Sequence, residues 1–228
     1  LFFARHVYFC PLCIFCNQDD FKQEVERHDH PDTTIFTGYD CDSLALESVT
    51  QFATNWLPYI SKLKSLFEFR TKSVAIRPFL EHLPLENCVV AYTLTPQCIG
   101  KEYEHKTPSL EKRLQAIEAL QAKGWKVGLR FDPIIYCLDY KNIYQTFFKE
   151  VFNRVFANRL HSVTLGAFRV PPQLFKRMVS LYPKEPLFAQ PEEWHARLLD
   201  FCQENILNFI PRENFFPCYA KDLSCNRC

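Results

Sequence analysis

The sequence lacks any apolar run long enough to cross a bilayer, and it lacks the apolar core and small-residue cleavage site of a secretory signal. These absences count against a membrane or exported protein and place the chain in a reducing cytoplasm. It also lacks an excess of charge of one sign: 27 Lys and Arg stand against 26 Asp and Glu, a formal net charge of +1. Nucleic acid would gain no whole-chain attraction from that balance, so a DNA-binding role has to rest on other features. Local basic groups such as Lys176-Arg177, or Arg154 with Arg159, have helical spacing and read as solvated faces. No internal repeat or low-complexity tract is present. An initiator Met is missing too, and the opening Leu1-Phe2-Phe3 reads as though within a strand, so residues are expected upstream of it.

Cysteine, in contrast, is plentiful. The 11 residues are odd in number and unevenly spaced, which counts against a disulfide framework. Three of them, Cys10, Cys13 and Cys16, lie in Phe9-Cys-Pro-Leu-Cys-Ile-Phe-Cys-Asn17. Thiolates this close on one loop can converge on a single iron-sulfur cube, and three ligands leave one iron with open positions for another group. A zinc knuckle is the alternative; it would need a fourth Cys or His at knuckle spacing, and His28 and His30 lie beyond the acidic Asp19-Asp20. Cys41, Cys88, Cys98, Cys137 and Cys202 occur singly and suit small buried hydrophobes. Cys218, Cys225 and Cys228 crowd the end of the chain, as a second metal site or as thiols of a flexible tail, with Cys218 a candidate for the core.

At 228 residues the chain is long enough for one sizeable core, and a single domain over 1–228 is expected, with a Cys-rich C-terminal tail over 211–228. Short β-rich runs alternate with longer amphipathic stretches, the rhythm of β-α units around a parallel sheet. Strands are predicted at Thr34–Gly38, Leu66–Thr71, Cys88–Leu94, Lys126–Ile134 and Ser162–Phe168. Helices are predicted over 44–63, 107–124, 140–157, 171–181 and 192–209. The second of these has Pro near its start, Gly at its end and a buried stripe of Leu110, Leu114, Ile117 and Leu120. The last has an apolar side of Trp194, Leu198, Phe201 and Ile206.

In parallel barrels the loops after the strands carry function. Here those loops hold Thr37-Gly38-Tyr39-Asp40-Cys41-Asp42-Ser43, Thr71-Lys72-Ser73, Thr93-Leu94-Thr95-Pro96, Arg130-Phe131-Asp132-Pro133 and Gly166-Ala167-Phe168-Arg169. Arg130 and Asp132 could contact ribose or substrate, or form a rim salt bridge; Arg169 is similar. Tyr39, Tyr92 and Tyr136 could relay a radical or simply pack.

Taken together, Asp42-Ser-Leu-Ala-Leu-Glu47, Phe69-Arg-Thr-Lys-Ser73, Thr107-Pro-Ser-Leu-Glu-Lys-Arg-Leu114, Gly128-Leu-Arg-Phe-Asp-Pro-Ile-Ile135 and Leu165-Gly-Ala-Phe-Arg-Val-Pro-Pro-Gln-Leu174 resemble the spore photoproduct lyase family of radical SAM enzymes, over most of the chain. The resemblance implies an α/β fold, a partial (β/α)6 TIM-type barrel of the radical SAM type. It further implies a 4Fe-4S cluster on Cys10, Cys13 and Cys16, with S-adenosylmethionine on the fourth iron. One electron, from a donor such as flavodoxin or ferredoxin, would then yield a 5′-deoxyadenosyl radical. In the family's repair enzyme that radical reverses a thymine dimer lesion, which makes DNA the expected substrate.

Carried over residue by residue, Lys72 matches a lysine near the SAM carboxylate and Thr93 a hydroxyl residue contacting SAM. Ser43 or Cys41 would supply a neighbouring contact, and Gly38 belongs to the same cofactor-binding loop. The hydrogen-donating position aligns near Tyr39, with Cys41 two residues on; these two are the catalytic candidates. The chain departs from the family at four places. Two residues rather than three separate Cys10 from Cys13, Tyr39 stands where the donor cysteine is expected, and Asn17 replaces an aromatic after the last cluster cysteine. Only a short Pro-rich and acidic stretch links Tyr182 to Trp194, where the repair enzyme has a duplex-wedging hairpin. Radical chemistry on another substrate, or a non-catalytic iron-sulfur or zinc protein, are the alternatives.

Overall fold

The structure, a computed structural model, describes Ile14 and residues 17–38, 41–188 and 192–218. Cys10, Cys13, Cys16, Tyr39, Cys225 and Cys228 therefore lie outside the described residues. Six strands, β1 (Thr34–Phe36), β2 (Leu66–Thr71), β3 (Cys88–Thr93), β4 (Lys126–Ile134), β5 (Leu160–Ala167) and β6 (Phe215–Cys218), pair in chain order. Every pairing is parallel, and the sheet curls into a half-barrel with helices outside, as the sequence predicts. The helices are α1 (Gln18–Arg27), α2 (Glu47–Thr50), α3 (Phe52–Ile60), α4 (Arg77–Glu81), α5 (Gln97–Tyr103), α6 (Leu110–Lys123), α7 (Tyr140–Arg154), α8 (Pro172–Leu181) and α9 (Glu192–Leu207). Among the described residues no helix is long and apolar enough to cross a membrane.

Alternation along each strand divides the sheet into two chemistries. Phe67 and Phe69 on β2, Val90 and Tyr92 on β3, Leu129 and Phe131 on β4, and Val163 and Leu165 on β5 pack outward into the helix layer. Phe131 sits edge-on to Phe148 of α7 with ring centroids 5.1 Å apart, and Trp125 sits edge-on to Phe79 at the same distance. The Trp125 indole also donates to the Phe79 carbonyl at 2.7 Å, which fixes α4 against the start of β4. Helix α6 forms because Ser109 caps its first turn, accepting from Lys112 N, and because Gly124 takes the left-handed φ of 101° that ends it. Its predicted stripe, Leu110, Leu114, Ile117 and Leu120, is buried.

Three expectations need correction. The helix predicted over 44–63 is two helices, broken at Gln51, whose φ is 49°. The Glu47 carboxylate accepts from Ala53 N at 2.8 Å and Thr54 N at 3.1 Å, so it caps α3 from one turn upstream and draws the chain out of a single helix axis. Part of the region expected as a tail belongs to the barrel: Phe215–Cys218 is β6, an edge strand that tolerates Pro217. Cys218 is buried there. Cys41 and Cys98, expected among the buried thiols, are exposed, because Ser43 and Leu44 in one segment and Ile99 in the other take the inward positions. Cys88 and Cys202 are buried as expected. Tyr92 packs, its hydroxyl donating to the Ser73 carbonyl at 2.9 Å.

Candidate active site

The concave face carries the residues that do not pack on helices. Glu68 and Arg70 on β2 oppose Val89 and Ala91 on β3; Ala91 opposes Gly128 on β4, which opposes Ser162 on β5. Small residues in the middle of this face leave room for long charged ones. At Gly128 the need is strict: a Cβ would lie 2.8 Å from Arg130 Nη2. Into that space Arg130 folds toward the barrel floor, donating from Nη2 to Glu68 Oε2 at 2.6 Å and to Ser162 Oγ at 2.9 Å, and from Nη1 to the Ser162 carbonyl at 3.2 Å. Arg70 Nε donates to Glu68 Oε1 at 3.0 Å. Burial pushes the Glu68 carboxyl up, but Arg130 and Arg70 override it and hold it below the usual glutamate range. Arg130, a candidate for ribose contact or for a salt bridge, thus has its guanidinium engaged inside the barrel.

Above this cross-brace, the rim assembles three groups. The first is the loop after β1. Asp42 Oδ1 accepts from Thr71 Oγ1 at 2.7 Å and Leu44 N at 2.9 Å, and Asp42 Oδ2 accepts from Lys72 N at 2.6 Å, which ties this loop to the end of β2. Ser43 N donates to the Arg70 carbonyl at 3.0 Å, and the Ser43 and Thr37 hydroxyls lie 2.9 Å apart. Gly38 is buried beneath them. Cys41, Asp42 and Ser43 also border a largely apolar cavity of about 780 Å³ between α1, β1 and the α2-α3 pair. Trp56 lines that cavity, its indole N–H buried with no acceptor among the described residues. Replacing Asp42 by Ala would strand three donors and is expected to cost about 2 kcal/mol, with Asp42→Asn costing less because Oδ1 survives as an acceptor; denaturant unfolding of both variants checks this.

The second group centres on Lys72. Its ammonium lies 2.7 Å from Glu104 Oε1, and Glu104 Oε2 lies 2.5 Å from Arg113 Nη2. Arg113 reaches on to the Thr93 carbonyl at 3.0 Å, so Lys72 and Thr93 belong to one linked cluster. The third group is Asp132, Arg169 and Cys218. Arg169 donates to Asp132 Oδ2 at 3.2 Å and to Cys218 Sγ at 3.0 Å. Burial raises the Asp132 carboxyl, and Arg169 only partly offsets it.

The rim therefore brings together Gly38, Ser43, Lys72 and Thr93 through Asp42, Glu104 and Arg113. It sets Asp132 in a separate pair and turns Arg130 inward. Sequence reasoning passed over Glu104 and Arg113. Glu104 stands in Lys101-Glu-Tyr-Glu-His-Lys106, where nothing separates it from Glu102, and Arg113 sits in a helix whose period reads as amphipathic. Among the described residues no three His, Cys, Asp or Glu side chains could hold a metal ion. The described part of the stretch after Tyr182 contains a short 3-10 turn, Pro186–Phe188, and no hairpin.

In sequence, the chain is similar to the spore photoproduct lyase of Clostridium acetobutylicum, 23% identical over 175 residues that make up 76% of this chain and 51% of that protein. The chain thus spans about half the length of this curated relative. In fold, it is similar to spore photoproduct lyase complexed with dinucleoside spore photoproduct, at a TM-score of 0.80 and 16% identity, over 96% of this chain and 72% of the other. A variant of that enzyme with bound AdoMet and dinucleoside spore photoproduct gives a TM-score of 0.77 at 17% identity, over 90% and 67%. No protein-family profile matches the chain. The family resemblance read from the sequence is thus supported in sequence and in fold, and the solved structures share this half-barrel.

Proposed function

We propose that this chain is the catalytic barrel of a radical SAM enzyme related to spore photoproduct lyase, holding a 4Fe-4S cluster on Cys10, Cys13 and Cys16 and S-adenosylmethionine at the rim. The observation that carries this is Lys72: a mostly buried ammonium at a strand end whose one partner among the described residues is Glu104. An ammonium has three donors, and two remain for a carboxylate arriving from the open side. The cavity beside Cys41 and Ser43 suits the apolar bulk of a nucleoside. Three thiolates within seven residues suit a cube with one open iron.

When bound, these groups supply a 5′-deoxyadenosyl radical by one-electron cleavage of the sulfonium. The chain's own part is positional. Lys72 and Thr93 hold the amino-acid end, Ser43 and Gly38 shape the adjoining loop, and Asp132 is placed at a strand end for ribose or substrate. Arg130 braces the floor beneath them. Cys41, exposed at the same rim, is the candidate thiol for returning a hydrogen atom, with Tyr39 two residues before it in sequence. The protein is cytoplasmic in this account and takes its electron from a flavodoxin or ferredoxin.

For substrate, a pyrimidine lesion in DNA is supported by the likeness to spore photoproduct lyase, whose solved structures include complexes with dinucleoside spore photoproduct. A second reading, the same chemistry on another substrate, is favoured by Tyr39 at the donor position and by the missing hairpin among the described residues. Anaerobic reconstitution is expected to give about four irons per chain and a reduced-cluster EPR signal perturbed by SAM. Bound zinc without such a signal would refute the proposal. Conversion of the lesion to two thymidine residues within a spore photoproduct oligonucleotide supports the lesion; 5′-deoxyadenosine without that conversion favours the second substrate class.

A further inference from the structure

We infer that Glu104 is a positioning residue for the carboxylate end of S-adenosylmethionine, acting through Lys72; the inference rests on the radical SAM assignment above. Lys72 follows β2, Glu104 follows α5 and Arg113 lies on α6, and their side chains are 16%, 9% and 3% exposed. Lys72 and Arg113 thus share the Glu104 carboxylate where water screens poorly, while Asp42 holds the Lys72 backbone N–H and the Asp132 carboxyl also feels the Lys72 charge.

Glu104 is itself held firmly. Thr95 Oγ1 donates to its Oε1 at 2.9 Å, and Arg113 grips Oε2 while donating to the Pro108 carbonyl at 2.9 Å and the Thr93 carbonyl at 3.0 Å. Burial pushes the Glu104 carboxyl up, and Lys72 and Arg113 more than offset this, so it stays ionised. The long, flexible stem of Lys72 is therefore fixed before any ligand arrives, with one donor direction used and the others free of protein partners among the described residues. Ordering that stem in advance removes a cost that the ligand would otherwise bear on binding. The same contacts tie the ammonium to the end of β3, so Lys72 and Thr93 keep a constant separation.

The test compares two probes on the reconstituted protein, S-adenosylmethionine and decarboxylated S-adenosylmethionine, which differ at the carboxylate alone. Binding is measured by anaerobic calorimetry, independently of turnover. Glu104→Gln is expected to weaken S-adenosylmethionine about tenfold, the scale of one charge-assisted hydrogen bond, and to leave the decarboxylated probe unchanged. Lys72→Ala is expected to do the same or more, and adding Glu104→Gln to it to cause no further loss. Equal weakening of both probes by Glu104→Gln, or additive losses in the double variant, would show a merely structural role and overturn the inference. Should the wild-type protein bind both probes equally and still cleave S-adenosylmethionine, the inference falls and the radical SAM assignment stands. Binding of neither probe by cluster-loaded protein overturns both.

Discussion

Replacing Glu68 by Ala is expected to destabilise the fold by about 3–5 kcal/mol, the usual consequence of removing one partner of a buried ion pair. Glu68 is 6% exposed and Arg130 3%, and no other carboxylate bonds to Arg130 among the described residues. Without Glu68 the Arg130 guanidinium keeps its contacts with Ser162 and the Leu129 carbonyl, but its charge is left uncompensated in the half-barrel floor. The loss comes from the stranded charge rather than from any large net value of the pair. Replacing both Glu68 and Arg130 by Met is accordingly expected to recover most of the stability. Denaturant midpoints of the three proteins measure this, and a double variant as weak as Glu68→Ala would contradict it. The same residue sets an acid limb. Its folded-state pKa is lowered, so its contribution is present above the ordinary glutamate value and is lost as pH falls through the folded one. Glu68→Gln should flatten that limb.

Replacing Cys13 by Ser is expected to abolish cluster assembly and, with it, 5′-deoxyadenosine formation to the limit of detection. A hydroxyl is a poor ligand for iron-sulfur iron, and three thiolates leave none to spare. Iron content, the EPR signal and 5′-deoxyadenosine should vanish together while the far-ultraviolet circular dichroism is kept. Retention of a full cluster by Cys13→Ser would show that the three-cysteine run is not the ligand set.

Much of the fold was legible because strand chemistry is local. Leu66–Thr71 and Lys126–Ile134 have the predicted bounds, and α6 obeys its Ser109 cap and Gly124 stop. Misses came where one residue acts on another element. Glu47 caps α3 through its side chain, a contact that no periodicity signals. β6 is four residues long and contains Pro217, so it lacks both the length and the alternation that mark a strand. The site divides in the same way. Lys72 and Thr93 stand at strand ends, where a parallel barrel gathers function, and could be picked out by position. Glu104 and Arg113 join them only through a fold that brings the segment after α5 and the first turn of α6 over the rim. The inward turn of Arg130 depends on Gly128 two residues before it on the same strand, a steric relation that residue types alone do not reveal.

The most direct measurement is anaerobic incubation of the reconstituted chain with dithionite and S-adenosylmethionine, followed by chromatography of the products. The account predicts 5′-deoxyadenosine and methionine in equal amounts, lost in Cys13→Ser and strongly reduced in Lys72→Ala. A chain that carries a full 4Fe-4S cluster and binds S-adenosylmethionine, yet yields no 5′-deoxyadenosine above the protein-free control with or without substrate, would contradict it.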